Sequence, residues 1–265
     1  MTSIDDLFER TRAENRAALV GYLPAGFPTK ETSIAAIRAM IDGGVDLVEV
    51  GLPYSDPVMD GPTIQAAAEI ALAAGSRTAD VFDVVAASAA TGTPTVVMTY
   101  WNLVERYGVD RFADELAAAG GAGMITPDLI PDEGAEWDAA SRAHGLDRVY
   151  LVAPSSTDAR LAMTAEAASG FIYATAVMGV TGQRQQTSSL APALVARLRE
   201  VTDKPVGVGL GVSNGAQARE IAAYADAVIV GSAIVRCLLD APDEASGIAA
   251  VRELAADLRD GVERA

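Results

Sequence analysis

Three of the carboxylates in "DLVEVGLPYSDPVMDGPTIQ", residues 46 to 65, stand out: Glu49, Asp56 and Asp60. The run 46–51 is apolar and β-branched, which reads as a buried strand, yet it carries Glu49. Side chains alternate along a strand, so Leu47, Glu49 and Gly51 share one face while Val48 and Val50 take the other. Two valines suit the layer between a strand and its covering helices, which turns Glu49 the opposite way. Partial burial disfavours a charged carboxylate and moves its pKa up, toward the range useful for proton transfer at neutral pH. Asp56 and Asp60 follow on a loop stiffened by Pro53, Pro57 and Pro62, where Gly61-Pro62 marks a turn and a helix entry. Such a loop could aim a second carboxylate at the same substrate. Each acid also has a plain structural reading: Glu49 as a buried acid held by backbone or a lysine, Asp56 and Asp60 as caps of turns or of the next helix.

Glycine marks a second place for chemistry. "GLGVSNG" (209–215) and "GSA" (231–233) each follow a strand-like run. Glycines let backbone N–H groups approach an anion, a helix N-terminus favours it, and Ser232 adds a hydroxyl donor. Ordinary turn glycine is the alternative. "MGVTGQRQQTSS" (178–189) is polar and long for a connection, and reads either as a lid that closes over a site or as plain surface loop.

Other chemistries find little support. The one histidine, His144, lies near a helix end and reads as surface; the one cysteine, Cys237, reads as a small buried hydrophobe and leaves no intrachain disulfide. Together they argue against a transition-metal site. Walker loops, nucleophile elbows and H-E-x-x-H are missing from the sequence. Lys30 and Lys204 are the only lysines, and neither falls at the C-terminal end of a strand, which disfavours a Schiff base. A net charge of −16 supplies no basic face for nucleic acid, so a phosphate-bearing substrate would need local donors. The opening "MTSIDDLFERTRAENR" is too charged for a signal peptide, and no apolar run is of spanning length, so the chain reads as cytoplasmic.

The elements that must position these residues follow from periodicity. Strand-like runs fall at 17–23, 46–51, 95–100, 123–126, 148–153, 170–175, 205–210 and 226–231. Helical spacing fills the gaps over 29–42, 63–74, 109–119, 132–143, 158–168, 192–201 and 214–224, with a last helix over 244–263. Asp110 and Asp158 are placed to cap helix starts, and Ser3-Ile4-Asp5-Asp6 suggests a capping box on a leading helix. Alternating strands and helices imply a parallel sheet, and eight units in 265 residues match a closed (β/α)8 TIM barrel with an additional N-terminal helix. An open doubly wound sheet is the alternative, but Val212 stands where its dinucleotide fingerprint needs glycine. Without a linker-like break, residues 1–265 read as one domain. In a barrel the chemistry sits at the C-terminal ends of the strands.

With the barrel in view, the motifs match a known family. "LVEVGLPYSDPVMDGPTIQ", then "MTYWN" (98–102), "PDLIP" (127–131), "GVTG" (179–182), "GVGLGVS" (207–213) and "VGSAIV" (230–235), resemble the α subunit of tryptophan synthase, in family order and over essentially the whole chain. The resemblance implies a (β/α)8 barrel that cleaves indole-3-glycerol phosphate to indole and glyceraldehyde 3-phosphate. It implies that Glu49 shuttles protons and that Asp60 stabilises charge at the indole N–H. It assigns Tyr22, Tyr100, Ile125, Leu151 and Tyr173 to the pocket wall, Thr181 to the lid, and Gly182, Gly211, Gly231 and Ser232 to the phosphate. Pro53 and Asp56 match the surface meeting a β subunit, in an αββα heterotetramer whose pyridoxal phosphate belongs to that partner; no cofactor is implied on this chain. Pro127 and Phe27 depart from an alanine and an aspartate frequent at their positions, and Pro127 bears on the pocket wall. Two rivals remain on sequence grounds: a phosphosugar isomerase or epimerase barrel, and a non-catalytic activator of a β subunit.

Overall fold

The computed structural model describes residues 3–175, 190–209 and 211–264. The chain opens with α1 (Ile4–Ala13), β1 (Ala18–Pro24), α2 (Lys30–Asp42) and β2 (Leu47–Gly51). It continues through α3 (Pro62–Ala73), α4 (Asp80–Ala89), β3 (Thr95–Met98), α5 (Trp101–Tyr107), α6 (Val109–Ala118) and β4 (Gly123–Thr126). A 3-10 turn (Pro131–Glu133) leads to α7 (Ala135–His144), β5 (Asp147–Val152), α8 (Asp158–Ala167) and β6 (Ile172–Thr175). The last units are α9 (Leu190–Arg199), β7 (Val206–Gly209), α10 (Gly215–Ala222), β8 (Ala227–Val230), α11 (Ser232–Leu239) and α12 (Glu244–Gly261). The eight strands pair in chain order, all parallel, and β1 closes on β8. This is the (β/α)8 barrel with a leading helix that the alternation of patterns predicts.

Each strand buries both faces, which is why the strands read as runs of Val, Ile, Leu and Ala. Outward residues such as Val48, Val50, Val97 and Val208 join the large core under the helices. Inward residues form a second cluster: Ala18, Val20, Leu47, Val96, Ile125, Val149, Phe171, Ala227 and Ile229. Ile4, Leu7 and Phe8 of α1 belong to this inner cluster and are buried. The helix thus stops the N-terminal end of the barrel, with the Phe8 and Phe171 rings 6.0 Å apart. Burying each such side chain stabilises the fold by roughly 1.5–3 kcal/mol.

At the same end, Asp46 is buried just before β2 and pairs with buried Arg16 through contacts of 2.5 and 2.8 Å. Asp46 also accepts from the Leu19 amide at 2.9 Å and from Arg10 at 3.1 Å. The pair joins the lead-in to β1 to the start of β2.

Local rules account for most helix ends. Ser3 and Asp6 form the expected capping box. Two expected caps are corrected. Thr157, not Asp158, caps α8, accepting from the Arg160 amide; α6 begins after Gly108, which leaves Asp110 inside the first turn. There both acids favour the positive end of the helix dipole without capping it. Cys237 is partly buried rather than fully so, and its thiol donates to the Ala233 carbonyl. Among the described residues no helix is long and apolar enough to cross a membrane.

Candidate active site

Strand register gathers the site at the C-terminal end of the barrel. Glu49 lies beside Tyr22 of β1 and Val96 of β3, and Gly51 lies beside Met98. Met98 pairs with Ile125 of β4, and Leu151 of β5 pairs with Tyr173 of β6. Ile125 is fully buried, while Leu151, Tyr173, Tyr22 and Met98 are half-buried and line the inside of the mouth.

Glu49 is 1% exposed, and its Oε2 has no hydrogen-bond partner among the described residues. Among the described residues no lysine or arginine pairs with it, which speaks against the reading of Glu49 as a paired structural acid. Burial, and secondarily the charge of Asp60, push its pKa from 4.5 up to about 8. A carboxyl that keeps its proton at neutral pH can donate it and later recover one.

Asp60 sits on the loop between β2 and α3. Burial raises its pKa, while a hydrogen bond from the Tyr100 hydroxyl works the other way. Tyr100, 5% exposed at the start of α5, also accepts from the Met59 amide at 3.1 Å. Its ring lies 5.2 Å from that of Tyr54, whose hydroxyl accepts from Asn102 at 3.2 Å. From α3, the Gln65 side-chain amide donates to the Asp60 carbonyl at 2.7 Å. The phenols of Tyr22 and Tyr173 are held well above their ordinary pKa, chiefly by burial; Tyr22 also senses Asp60 and Glu49, and Tyr173 senses Glu49. Two carboxyls and three tyrosines therefore share one low-dielectric space. Asp56 stands apart: it is exposed and accepts from Ser55 at 2.6 Å.

Two glycines make room for the aromatic wall. A Cβ on Gly51 would fall 2.3 Å from the Tyr22 hydroxyl, and one on Gly209 would fall 2.4 Å from that of Tyr173. Gly51→Ala is therefore expected to drive the Tyr22 ring out of the mouth and to cost about 1–3 kcal/mol of stability. Urea unfolding would show it; a variant as stable as the parent would mean that the ring yields freely.

The late-strand turns also face this end. Gly231 precedes α11 with no side-chain cap, and Ser232 is the first residue of that helix. Its leading N–H groups are then available to an anion. Gly211 has φ +69°, a left-handed conformation suited to glycine, three residues before Asn214 caps α10. Thr181 and Gly182, with the stretch read as a lid, lie outside the described residues. Pro53 is buried beneath its loop, whereas Asp56 and Val58 are exposed, Val58 at 69%. Pro127 is half-buried after β4 and Phe27 is buried after β1. His144, 3.9 Å from Asp114 and half-buried at the end of α7, takes no part, and no cluster of metal-binding side chains occurs among the described residues.

Sequence reasoning passed over Met98, Tyr54, Asn102 and Gln65. Met98 had a signal, since alternation from Val96 points it inward. The other three act through loop contacts that no spacing reveals.

Comparison with known proteins agrees with this geometry. The family model described as tryptophan synthase alpha chain matches residues 8–263. A tryptophan synthase alpha chain from Salinispora arenicola (strain CNS-205) is 64% identical over 262 residues, 99% of this chain and 98% of that one. Mycobacterium tuberculosis tryptophan synthase contains a chain 55% identical that superposes with a TM-score of 0.93, covering 100% of both chains. The tryptophan synthase subunit alpha of Legionella pneumophila str. Paris, 31% identical, superposes with a TM-score of 0.87 over 99% of this chain and 98% of its own. A match over nearly the full length, on the barrel that holds Glu49 and Asp60 at its mouth, shows that this chain belongs to the tryptophan synthase alpha chain family.

Proposed function

We propose that this chain, a lyase by its family, cleaves indole-3-glycerol phosphate to indole and glyceraldehyde 3-phosphate. The observation that carries the reading is Glu49, a buried carboxyl at the barrel mouth whose Oε2 has no hydrogen-bond partner among the described residues, with its pKa pushed up to about 8 by burial and by Asp60. In its neutral form Glu49 gives a proton to the ring carbon that bears the side chain. The positive charge formed at the ring nitrogen is met by the Asp60 carboxylate, for which its N–H is a donor. The Glu49 carboxylate then takes the proton of the neighbouring glycerol hydroxyl. The carbon–carbon bond breaks, its electron pair restores the aromatic ring, and the hydroxyl carbon leaves as an aldehyde. Glu49 ends protonated, as it began.

Tyr22, Tyr100, Ile125, Leu151 and Tyr173 enclose the ring and glycerol, while Gly211, Gly231 and Ser232, with Gly182, hold the phosphate. Thr181 closes over the substrate. This chemistry asks for no cofactor on the chain. The exposed part of the β2–α3 loop, with Asp56 and Val58 above the buried Pro53, suits docking to a β subunit that carries pyridoxal phosphate, in an αββα assembly in the cytoplasm. The 265 residues act as one barrel domain. The phosphosugar rival often calls for a metal or a histidine, and no metal-binding cluster occurs among the described residues; a pure activator has no use for a buried acid at the mouth.

The test is indole release from indole-3-glycerol phosphate by the full chain, alone and with a tryptophan synthase β subunit. Release should occur alone and rise by roughly tenfold or more when the partner orders the loops. No indole in either condition would overturn the substrate.

A further inference from the structure

We propose that Gln65 is a positioning residue for this site, fixing the backbone of Asp60 so that its carboxylate stays on Tyr100 and faces the substrate. The inference rests on the role of Asp60 proposed above. Asp60 lies at the end of a loop in which Pro57 and Pro62 leave few amides to tie it down. Among the described residues, two side chains bear on it. On one side the Tyr100 hydroxyl accepts from the Met59 amide at 3.1 Å and lies close enough to the Asp60 carboxylate to hold its pKa down against burial. On the other, Gln65 donates to the Asp60 carbonyl at 2.7 Å.

Gln65 can act in this way because it stands on the first turn of a helix. Its own amide donates to the Gly61 carbonyl at 2.9 Å, and neighbouring Ile64 is buried, so the stem of the side chain is anchored. α3 begins with Pro62 after an N-cap, Gly61, that offers no side-chain cap. The Gln65 side chain thus reaches back across the helix start to the residue before Gly61. It couples a rigid helix to the carboxylate-bearing end of a loop whose outer part, Ser55 to Val58, is largely exposed. Without this hold the Asp60 carbonyl loses its side-chain donor, and the end of the loop is held less firmly. The carboxylate then leaves the Tyr100 hydroxyl, while the rest of the barrel is untouched.

Two variants separate positioning from general destabilisation. Gln65→Met keeps the length but loses the donor. Gln65→Glu keeps the shape, lacks a donor when ionised, and regains one when protonated. Indole release should fall roughly 10- to 100-fold in kcat for Gln65→Met, with KM moving by less than about threefold, because a displaced carboxylate is missed mainly in the transition state. The deficit of Gln65→Glu relative to the parent should shrink as pH is lowered through the range of an ordinary carboxyl. A side chain needed only for folding would produce neither the kcat–KM split nor that recovery.

A second readout does not depend on turnover. In the full chain with 13C-labelled aspartate, the Asp60 carboxyl should titrate higher in Gln65→Met than in the parent, since the hydrogen bond from Tyr100 holds it down. An unchanged Asp60 titration, or a Gln65→Met variant with parental kcat, would overturn the positioning role. A parent chain that releases no indole would instead overturn the substrate, and the titration would still decide what Gln65 does.

Discussion

Glu49→Gln is expected to abolish indole release, with kcat lower by on the order of 10^3-fold or more, because the proposed mechanism assigns both proton transfers to this one side chain. The amide keeps the size and buried placement of the carboxyl but can neither lose nor gain the proton. Assays with a β subunit present should show the same loss. Residual cleavage within tenfold of the parent would remove Glu49 from the chemistry. The substitution should also change how stability depends on pH. Below about pH 4.5 Glu49 is protonated in both the folded and the unfolded chain, and it adds no pH dependence. Above that, the unfolded chain releases the proton while the fold retains it until about pH 8. Stability therefore falls as pH rises through this window, by about 5 kcal/mol from this group alone. Glutamine does not titrate. The stability of Glu49→Gln relative to the parent should grow between pH 5 and 8 in urea unfolding, and a constant difference would show that Glu49 ionises normally.

The second large effect lies at the other end of the barrel. Arg16→Ala leaves Asp46, 7% exposed, without the bidentate partner that compensates its burial. Breaking a buried pair from one side costs about 3–5 kcal/mol. Arg10 also reaches Asp46, but its side chain is 46% exposed and supplies a single contact of 3.1 Å, so it recovers only part of the loss. The expected result is a lower unfolding midpoint with near-parental indole release per folded molecule, since Glu49 lies further along β2, toward the barrel mouth, and makes no contact with the pair. A midpoint unchanged within about 0.5 kcal/mol, the usual span of a surface substitution, would mean that Asp46 finds water on losing Arg16.

All eight strands were legible because each is buried on both faces and so carries a run that few helices show. Their edges were less so. The run 95–100 ends as a strand at Met98, because Tyr100 adopts the role of N-cap of α5. Three helices escaped periodic reading for separate reasons. α4 carries Val81, Phe82, Val84 and Val85 nearly in a block, which blurs a helical face. α5 is a seven-residue helix rich in aromatics. α11 begins at Ser232 inside what reads as a glycine turn. In the site, Glu49 was legible because it breaks an apolar pattern. Spacing could not separate Asp56 from Asp60, as both are loop acids among prolines. Contacts do: Asp60 is held by Tyr100 and raised by burial, Asp56 is bonded to its neighbour Ser55 in the open. Gln65 had no pattern to betray it, since its value lies in a carbonyl five residues back.

The stopper formed by Ile4, Leu7 and Phe8 gives the barrel a direction. With that end filled, traffic of substrate, products and solvent protons runs through the C-terminal face alone. A partner seated over that face would then set the order of events by itself: nothing enters until it opens, and whatever leaves while it is shut passes into the partner. Confinement of the proton follows as well. On the proposed mechanism, the proton that Glu49 takes from the hydroxyl has no rear exit, so it stays on the carboxyl for the next substrate until the mouth meets water again.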